Sequence, residues 1–438
     1  MKLTRRIGSK SEWIIWLQNL FAAAVLGLLS GLSCVAVRSF YRLLQWMITG
    51  NAGILSHAAA MLPPWRRVLT PAIGGVAAMA VLWIVRRTAK PAPFTEYVEA
   101  VRFKEGRISF SSTFWRTLSA AFSVATGAAI GREGSMIQFA AALVSAVGQR
   151  WKAIRLSLAD QVSCGVAAAV GAVYQAPIGG MFFAAEIASG KVMLRTLPAL
   201  LVAAFTGTAI SHAILGGGPL FLPHGFVRPD LLHIWLALPL ALLLGLVGPA
   251  YTWLLHSLRL TRKLPLALFW SGTAVGVLSL FHTEVWGNGD AAILRVLQSE
   301  PGVRITFILL LSRLFATTFC VGTGAIGGVF TPTVFVGSAL GLLAGHLVHA
   351  PNPVLFAMLG MGCMLAAATH APLMSAFMTV ELTGQWLLLP VMMVCSVIAA
   401  RVAQRLSPRS LYALAITQPA EGIPRDETFD AKMGLSDG

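Results

Sequence analysis

The sequence is short of charge. Only 11% of its 438 residues are Asp, Glu, Lys or Arg, under half of the about 25% found in soluble domains. That shortage excludes an ordinary soluble enzyme, a disordered chain and a nucleic-acid-binding domain coated in ion pairs. Acid is scarcer still, with 17 Asp and Glu against 33 Lys and Arg and a formal charge of +16. Cys34, Cys164, Cys320, Cys363 and Cys395 are odd in number, far apart and set in apolar runs, and no CxxC occurs. A disulfide framework and a zinc site are therefore not expected. The nine histidines form no HExxH and no ligand cluster. No nucleophile elbow and no paired aspartates end an apolar helix, so neither an enzyme, a metal nor a cofactor is expected.

What is abundant is apolar sequence, 56% of the chain at a mean hydropathy of +0.75. A helix needs about 20 apolar residues to cross about 30 Å of hydrocarbon. Segments 13–37, 68–85, 196–215, 231–257, 305–321 and 386–404 qualify. The first follows Lys2, Arg5, Arg6 and Lys10 and far exceeds the roughly 7–15 apolar residues of a signal peptide; it reads as an uncleaved membrane helix. Cations punctuate the other runs, with Arg259, Arg262 and Lys263 in one loop and Arg401, Arg405 and Arg409 ending the last segment. Cytoplasmic loops collect such residues. The basic charge thus points to a multi-pass membrane topology with both termini cytoplasmic, and to lipid rather than nucleic acid as partner. Residues 418–438 form a short polar tail, leaving 1–417 as one all-α polytopic membrane domain.

Several apolar pieces are too short to cross. Residues 117–130 and 135–148 flank Gly131-Arg132-Glu133-Gly134, and 163–176 and 177–189 meet at Ala176-Pro177. Broken helices are tolerated in a membrane where unwound backbone lines a cavity, and they mark substrate sites in many transporters. The pattern also repeats. Residues 165–186 align on 360–381 at an offset of 195, with Gly165, Ala172, Ala176, Pro177, Phe182 and Glu186 recurring as Gly360, Ala367, Ala371, Pro372, Phe377 and Glu381. Ala129-Ile130-Gly131 recurs as Ala325-Ile326-Gly327. Two related halves, roughly 13–215 and 231–410, are expected to build a pseudo-two-fold core; these identities do not decide whether the halves run parallel or inverted.

Of the acidic residues, Glu133, Glu186 and Glu381 lie within membrane-buried segments. A charge at the bilayer centre costs about 2.5–3.5 kcal/mol on insertion scales, so each needs a pathway or a partner. Glu186 and Glu381 occupy equivalent places in the repeat and read as structural carboxylates, with a proton path as the alternative. Glu133 sits between two half-helices, flanked by glycines that let backbone approach closely. The positive end of the next half-helix points at the same spot. An anion and the Glu133 carboxylate would compete there, which makes a proton-sensitive anion gate; the alternative is a plain Arg132–Glu133 ion pair in a turn.

A second glycine-rich element runs Gly322-Thr323-Gly324-Ala325-Ile326-Gly327-Gly328-Val329-Phe330-Thr331-Pro332. It contains GxGxxG, but Pro332 follows closely, no acid lies near position 347 and no βαβ rhythm surrounds it, so no nucleotide is expected. In a membrane, these glycines free N–H groups for an anion, and Phe330 can wall a pore.

GREG at 131–134, GGVFTP at 327–332 and Tyr412 in Ser410-Leu411-Tyr412 together resemble the CLC family of chloride channels and chloride/proton exchangers, over nearly the whole chain. Residues 95–100 (Thr-Glu-Tyr-Val-Glu-Ala) and 285–289 (Val-Trp-Gly-Asn-Gly) resemble its bacterial, ClcB-like branch. The resemblance implies a homodimer of inverted repeats with tilted, partly broken transmembrane helices, one chloride pathway per chain, and the bacterial inner membrane as location. It implies that Glu133 is the gate, that Gly131, Arg132, Gly134, Val329 and Phe330 form the anion site, and that the Tyr412 hydroxyl meets a central chloride. Two departures stand out. The family's GSGIP serine is missing from Ala92-Pro93-Phe94-Thr95, leaving Thr95 or a backbone amide as its substitute and selectivity among chloride, nitrate and fluoride open. Ile187 stands where exchangers often carry a proton-relay glutamate, which favours passive conduction over chloride/proton antiport. Transport of an organic ion is the remote alternative.

Overall fold

The computed structural model describes residues 10–88, 92–151, 155–225 and 231–416. These form eighteen α-helices, with no strand among the described residues. The expected polar tail, 418–438, and the cations Lys2, Arg5 and Arg6 lie outside them.

The first half runs α1 (Lys10–Thr49), α2 (Leu55–Met61), α3 (Pro64–Thr88), α4 (Tyr97–Phe103), α5 (Phe110–Ala125), α6 (Glu133–Gly148), α7 (Leu158–Tyr174), α8 (Pro177–Phe182) and α9 (Leu197–Leu215), with a π-helical turn, Phe183–Ala188, continuing α8. The second half runs α10 (Leu231–Ser257), α11 (Ala267–Leu278), α12 (Asp290–Ser299), α13 (Val303–Gly322), α14 (Phe330–Leu347), α15 (Pro353–Thr369), α16 (Pro372–Thr383), α17 (Leu389–Leu406) and α18 (Leu411–Ile416). Seven helices among the described residues are long and apolar enough to cross a membrane. Six match the spans read from the sequence. The seventh, Phe330–Leu347, has the lowest mean hydropathy of the set, 1.4, and 72% of its apolar window is buried inside the protein. Protein, not lipid, solvates α14, so small residues replace leucine where it lies against α15. Elsewhere Phe21, Ile73, Trp253, Phe307 and Val394 are exposed, an apolar outer surface that suits lipid.

The two halves repeat one packing scheme. Helix α1 packs on α7 and α9, and α7 on α6 and α9; α10 packs on α15 and α17, and α15 on α14 and α17. At equivalent places α7 and α15 end in left-handed residues, Gln175 (φ 56°) and His370 (φ 60°), a conformation costing about 1 kcal/mol or more outside glycine. Each cap reverses the chain so that a proline-initiated helix, α8 or α16, folds back. These two helices then cap each other. The Ile178 and Gly179 N–H groups donate to the two oxygens of Glu381 at 3.0 and 2.7 Å. The Leu373 and Met374 N–H groups donate to those of Glu186 at 3.3 and 2.7 Å. A carboxylate at the end of one helix meeting the start of the other requires that they run antiparallel. The halves are inverted, and Phe182 stacks on its repeat partner Phe377 at 5.0 Å.

Candidate functional site

A second reciprocal contact joins the glycine-rich breaks. The Gly131 N–H donates to the Gly328 carbonyl at 2.7 Å and the Gly328 N–H to the Gly131 carbonyl at 2.7 Å. Helices α6 and α14 begin just beyond this bridge, and their N-cap residues, Arg132 and Val329, supply no side-chain hydrogen bond. Two positive helix ends therefore meet with their first N–H groups uncapped by those residues. Contact is tight: a Cβ on Gly134 would lie 2.8 Å from the Gly328 nitrogen. The turn is pinned by Ser135, whose hydroxyl donates to the Arg132 carbonyl at 2.8 Å. The Tyr41 hydroxyl lies 2.8 Å from Ser135 Oγ and donates to the Thr117 carbonyl at 3.2 Å.

Glu133 is the first residue of α6 and is 5% exposed. Its Oε1 accepts from Asn288 Nδ2 at 2.5 Å and lies 3.9 Å from Arg132 Nε. Its Oε2 is buried without a hydrogen-bond partner. The nearer partner is thus an amide, not the adjacent arginine. Asn288 stands between two left-handed glycines, Gly287 (φ 79°) and Gly289 (φ 108°). Buried Arg313 latches this loop, donating to the Glu284 carbonyl and, at 3.1 Å, to the Gly287 carbonyl.

Two cavities flank this point. One, of about 260 Å³, is lined by Arg38, Arg42, Arg132, Glu133, Asn288 and Asp290. The other, of about 530 Å³, is lined by Glu96, Tyr97, Arg116, Arg259, Val329 and Tyr412 among others. Tyr174 lines both. Its ring lies 4.7 Å from Phe330, Phe330 lies 6.3 Å from Phe183, and Tyr412 meets Phe183 edge-on at 5.6 Å. Glu133, Tyr174 and Phe330 thus form a thin partition between two basic chambers.

The structure gathers Gly131, Arg132, Glu133, Gly134, Val329, Phe330 and Tyr412 around that partition. It does not bring Thr95 there: the Thr95 hydroxyl accepts from Lys104 Nζ at 3.4 Å and its carbonyl from Gln138 Nε2 at 2.9 Å. Tyr97, two residues on, lines the cavity instead, its hydroxyl beside that of Tyr412. Glu186 and Glu381 lie away from the cavities, between α8 and α16. A fourth carboxylate, Glu96, is half-buried in the wall of the larger cavity, outside every span read from the sequence. Asn288, Tyr97 and Tyr174 went unread as site residues; the signals were an asparagine between two glycines and a tyrosine just before the Ala176-Pro177 break.

A family model described as "Voltage gated chloride channel" matches residues 76–404. The chain belongs to the CLC family. It is 34% identical over 416 residues to a protein of Citrobacter koseri called "Voltage-gated ClC-type chloride channel ClcB", covering 90% of this chain and 98% of that one. A protein of the same name from Escherichia coli strain SMS-3-5 is 36% identical over 412 residues, with the same coverage. Among CLC structures, a slow cyanobacterial Cl⁻/H⁺ antiporter superposes with a TM-score of 0.79 at 23% identity, over 91% of this chain and 97% of that one. A CLC-type fluoride/proton antiporter gives 0.69 at 24% identity, over 93% and 99%. These likenesses show a shared CLC fold.

Proposed function

We propose that this chain is a voltage- or pH-gated chloride pathway in a bacterial inner membrane, with Glu133 as its gate. The observation that carries the reading is the meeting of two helix N-termini, α6 and α14, that receive no hydrogen bond from their N-cap side chains, beside one buried carboxylate between two basic cavities. Each helix start stabilises an anion by about 0.3–1 kcal/mol, more where water is excluded. The Glu133 carboxylate and chloride compete for that place. Protonation removes the carboxylate's claim, and the anion occupies it. Gly131, Arg132 and Gly134 shape the approach, Val329 and Phe330 supply backbone amides, and Phe330 with Tyr174 walls the path. On the far side, the Tyr412 hydroxyl, which accepts from Tyr97, keeps its own proton to donate in place of the family's serine. The relatives named as chloride channels support chloride as the ion.

Passive conduction is favoured by Ile187, buried in the π-helical turn after Glu186 and unable to hold a proton. A chloride/proton antiporter is the second reading, favoured by Glu96, which places a carboxylate in the larger cavity near Tyr97 and Tyr412. An organic cation suits neither helix N-termini nor arginine-lined chambers. We assign Glu186 and Glu381 to structure, since each caps the other half's helix. The positive-inside bias of the Arg259–Lys263 loop and the Arg405–Arg409 end supports a cytoplasmic opening for the larger cavity. Family membership supports a homodimer with one pathway in each chain. Such a conductance would carry charge after protons extruded in acid.

The deciding experiment records chloride efflux from liposomes holding the purified chain while external pH is followed, with and without a potassium ionophore and a protonophore. Chloride leaving on demand of the potassium ionophore, without proton movement, is the expected outcome. Protons driven uphill by a chloride gradient would replace conduction with exchange. Chloride that stays inside at every pH would overturn the chloride reading itself.

A further inference from the structure

We propose that the larger cavity also contains a binding site for a phosphate-type divalent oxyanion, built by Arg116, Arg259 and Arg262, whose occupancy obstructs the pathway. The regulatory half of this inference rests on reading that cavity as a mouth of the anion path. Arg116 comes from α5, while Arg259 and Arg262 come from the 3-10 turn Leu258–Lys263 that follows α10. Arg262 lies within electrostatic range of both the others. Glu96 is the one carboxylate in the cavity wall, so three guanidinium groups face one acid and two positive charges stand unbalanced. Neither Arg259 nor Arg262 has a carboxylate partner among the described residues. Arg116 lies over the Phe94 ring, 3.9 Å from its centroid.

Two of these groups keep a donor that the protein leaves unpaired. Arg116 Nε and Arg259 Nη2 are buried with no hydrogen-bond partner. Chloride passing through the cavity is a sphere with no use for paired donors. Guanidinium forks match the paired oxygens of phosphate and similar anions, and a dianion neutralises the surplus charge.

The place of Arg262 links the site to conduction. Gly324 adopts φ +88°, and a Cβ there would lie 2.9 Å from Arg262 Nε. The arginine therefore rests directly on the glycine loop that leads into Val329 and Phe330. An oxyanion held by Arg262 occupies the chamber and bears on that loop.

Inorganic phosphate at pH 8, where it is mainly the dianion, is the probe. It is expected to raise the thermal unfolding midpoint of the detergent-purified chain and to slow chloride efflux when present on both faces of the liposomes. In the double variant R259Q/R262Q both effects should weaken by about tenfold or more in concentration. R262K, which keeps the charge and loses the fork, should fall between. Liposomes with and without phosphatidylglycerol separate the sources: slowing by the anionic lipid that vanishes in the double variant makes a lipid phosphate the occupant of this site. Equal stabilisation of the wild type and a folded double variant, or no stabilisation of either, would overturn the proposal. A wild type that binds phosphate through these arginines but moves no chloride would overturn the pathway reading and its regulatory consequence, and leave the site standing.

Discussion

The N-termini of α8 and α16 are each closed by a carboxylate from the other half, Glu381 and Glu186, through paired N–H bonds. Those of α6 and α14 meet across a two-glycine bridge and receive no side chain from their N-cap residues. The backbone device is the same in both places, a half-helix starting inside the membrane domain. What differs is the carboxylate. Glu186 and Glu381 are each fixed by two backbone donors and span the interface between halves. Glu133 is held through one oxygen by one side-chain amide, and its other oxygen has no partner. The repeat also breaks here, because Phe330 opens α14 where Glu133 opens α6. A doubly bonded carboxylate stays put; a singly bonded one is free to be displaced. Symmetry in this molecule marks the scaffold, and its loss marks the candidate gate.

The largest effect expected from breaking this contrast is on the closed pair. Glu381→Ala leaves two N–H groups unsatisfied and should cost about 2–5 kcal/mol of stability. It would be read as a fall in thermal midpoint and in monodisperse yield, with chloride flux per folded molecule retained. An unchanged midpoint would move Glu381 from the scaffold to the pathway. A smaller free-energy effect is expected at the open pair. Glu133→Gln should raise chloride efflux at neutral pH by about tenfold or more, about 1.4 kcal/mol in barrier terms, and flatten its pH dependence while leaving the midpoint nearly unmoved. If the pH dependence survives, Glu133 is not the gate. Asn288→Ala removes the side-chain amide donor to that carboxylate, and a few-fold rise in efflux is expected, about 0.5–1.5 kcal/mol. Added to Glu133→Gln it should change nothing more, since both act through one contact; an additive result would give Asn288 a separate role.

Much of this was legible in the chain. Apolar length located six of the seven candidate spans, and Gly131–Gly134 and Ala176-Pro177 announced the breaks, because glycine and proline act locally. The repeat of Gly165–Glu186 in Gly360–Glu381 exposed the duplication, but only the crossed bonds between α8 and α16 revealed its inversion. Helix α14 escaped notice because burial in protein relaxes the demand for hydropathy. Asn288 reaches Glu133 across 155 residues, and no local pattern predicts such a contact. Thr95 misled for a related reason. Its residue type suited an anion, but the peptide is turned so that its carbonyl serves Gln138 and its hydroxyl faces Lys104, which leaves the cavity wall to Tyr97.

The crossed caps also set an order of events in biosynthesis. Glu186 is made 187 residues before Leu373, the first of its donors. At about 5–20 residues per second, the ribosome takes roughly ten to forty seconds to supply that partner. During that interval the first half must hold an unmatched carboxylate and an uncapped α8 within or beside the bilayer. Neither half can finish its own wiring, so an N-terminal fragment ending before α16 should be inserted yet unable to settle, and open to quality control until the second half arrives. Duplication here has produced two pieces that are each incomplete by construction, and assembly of the chain is the step at which both become whole.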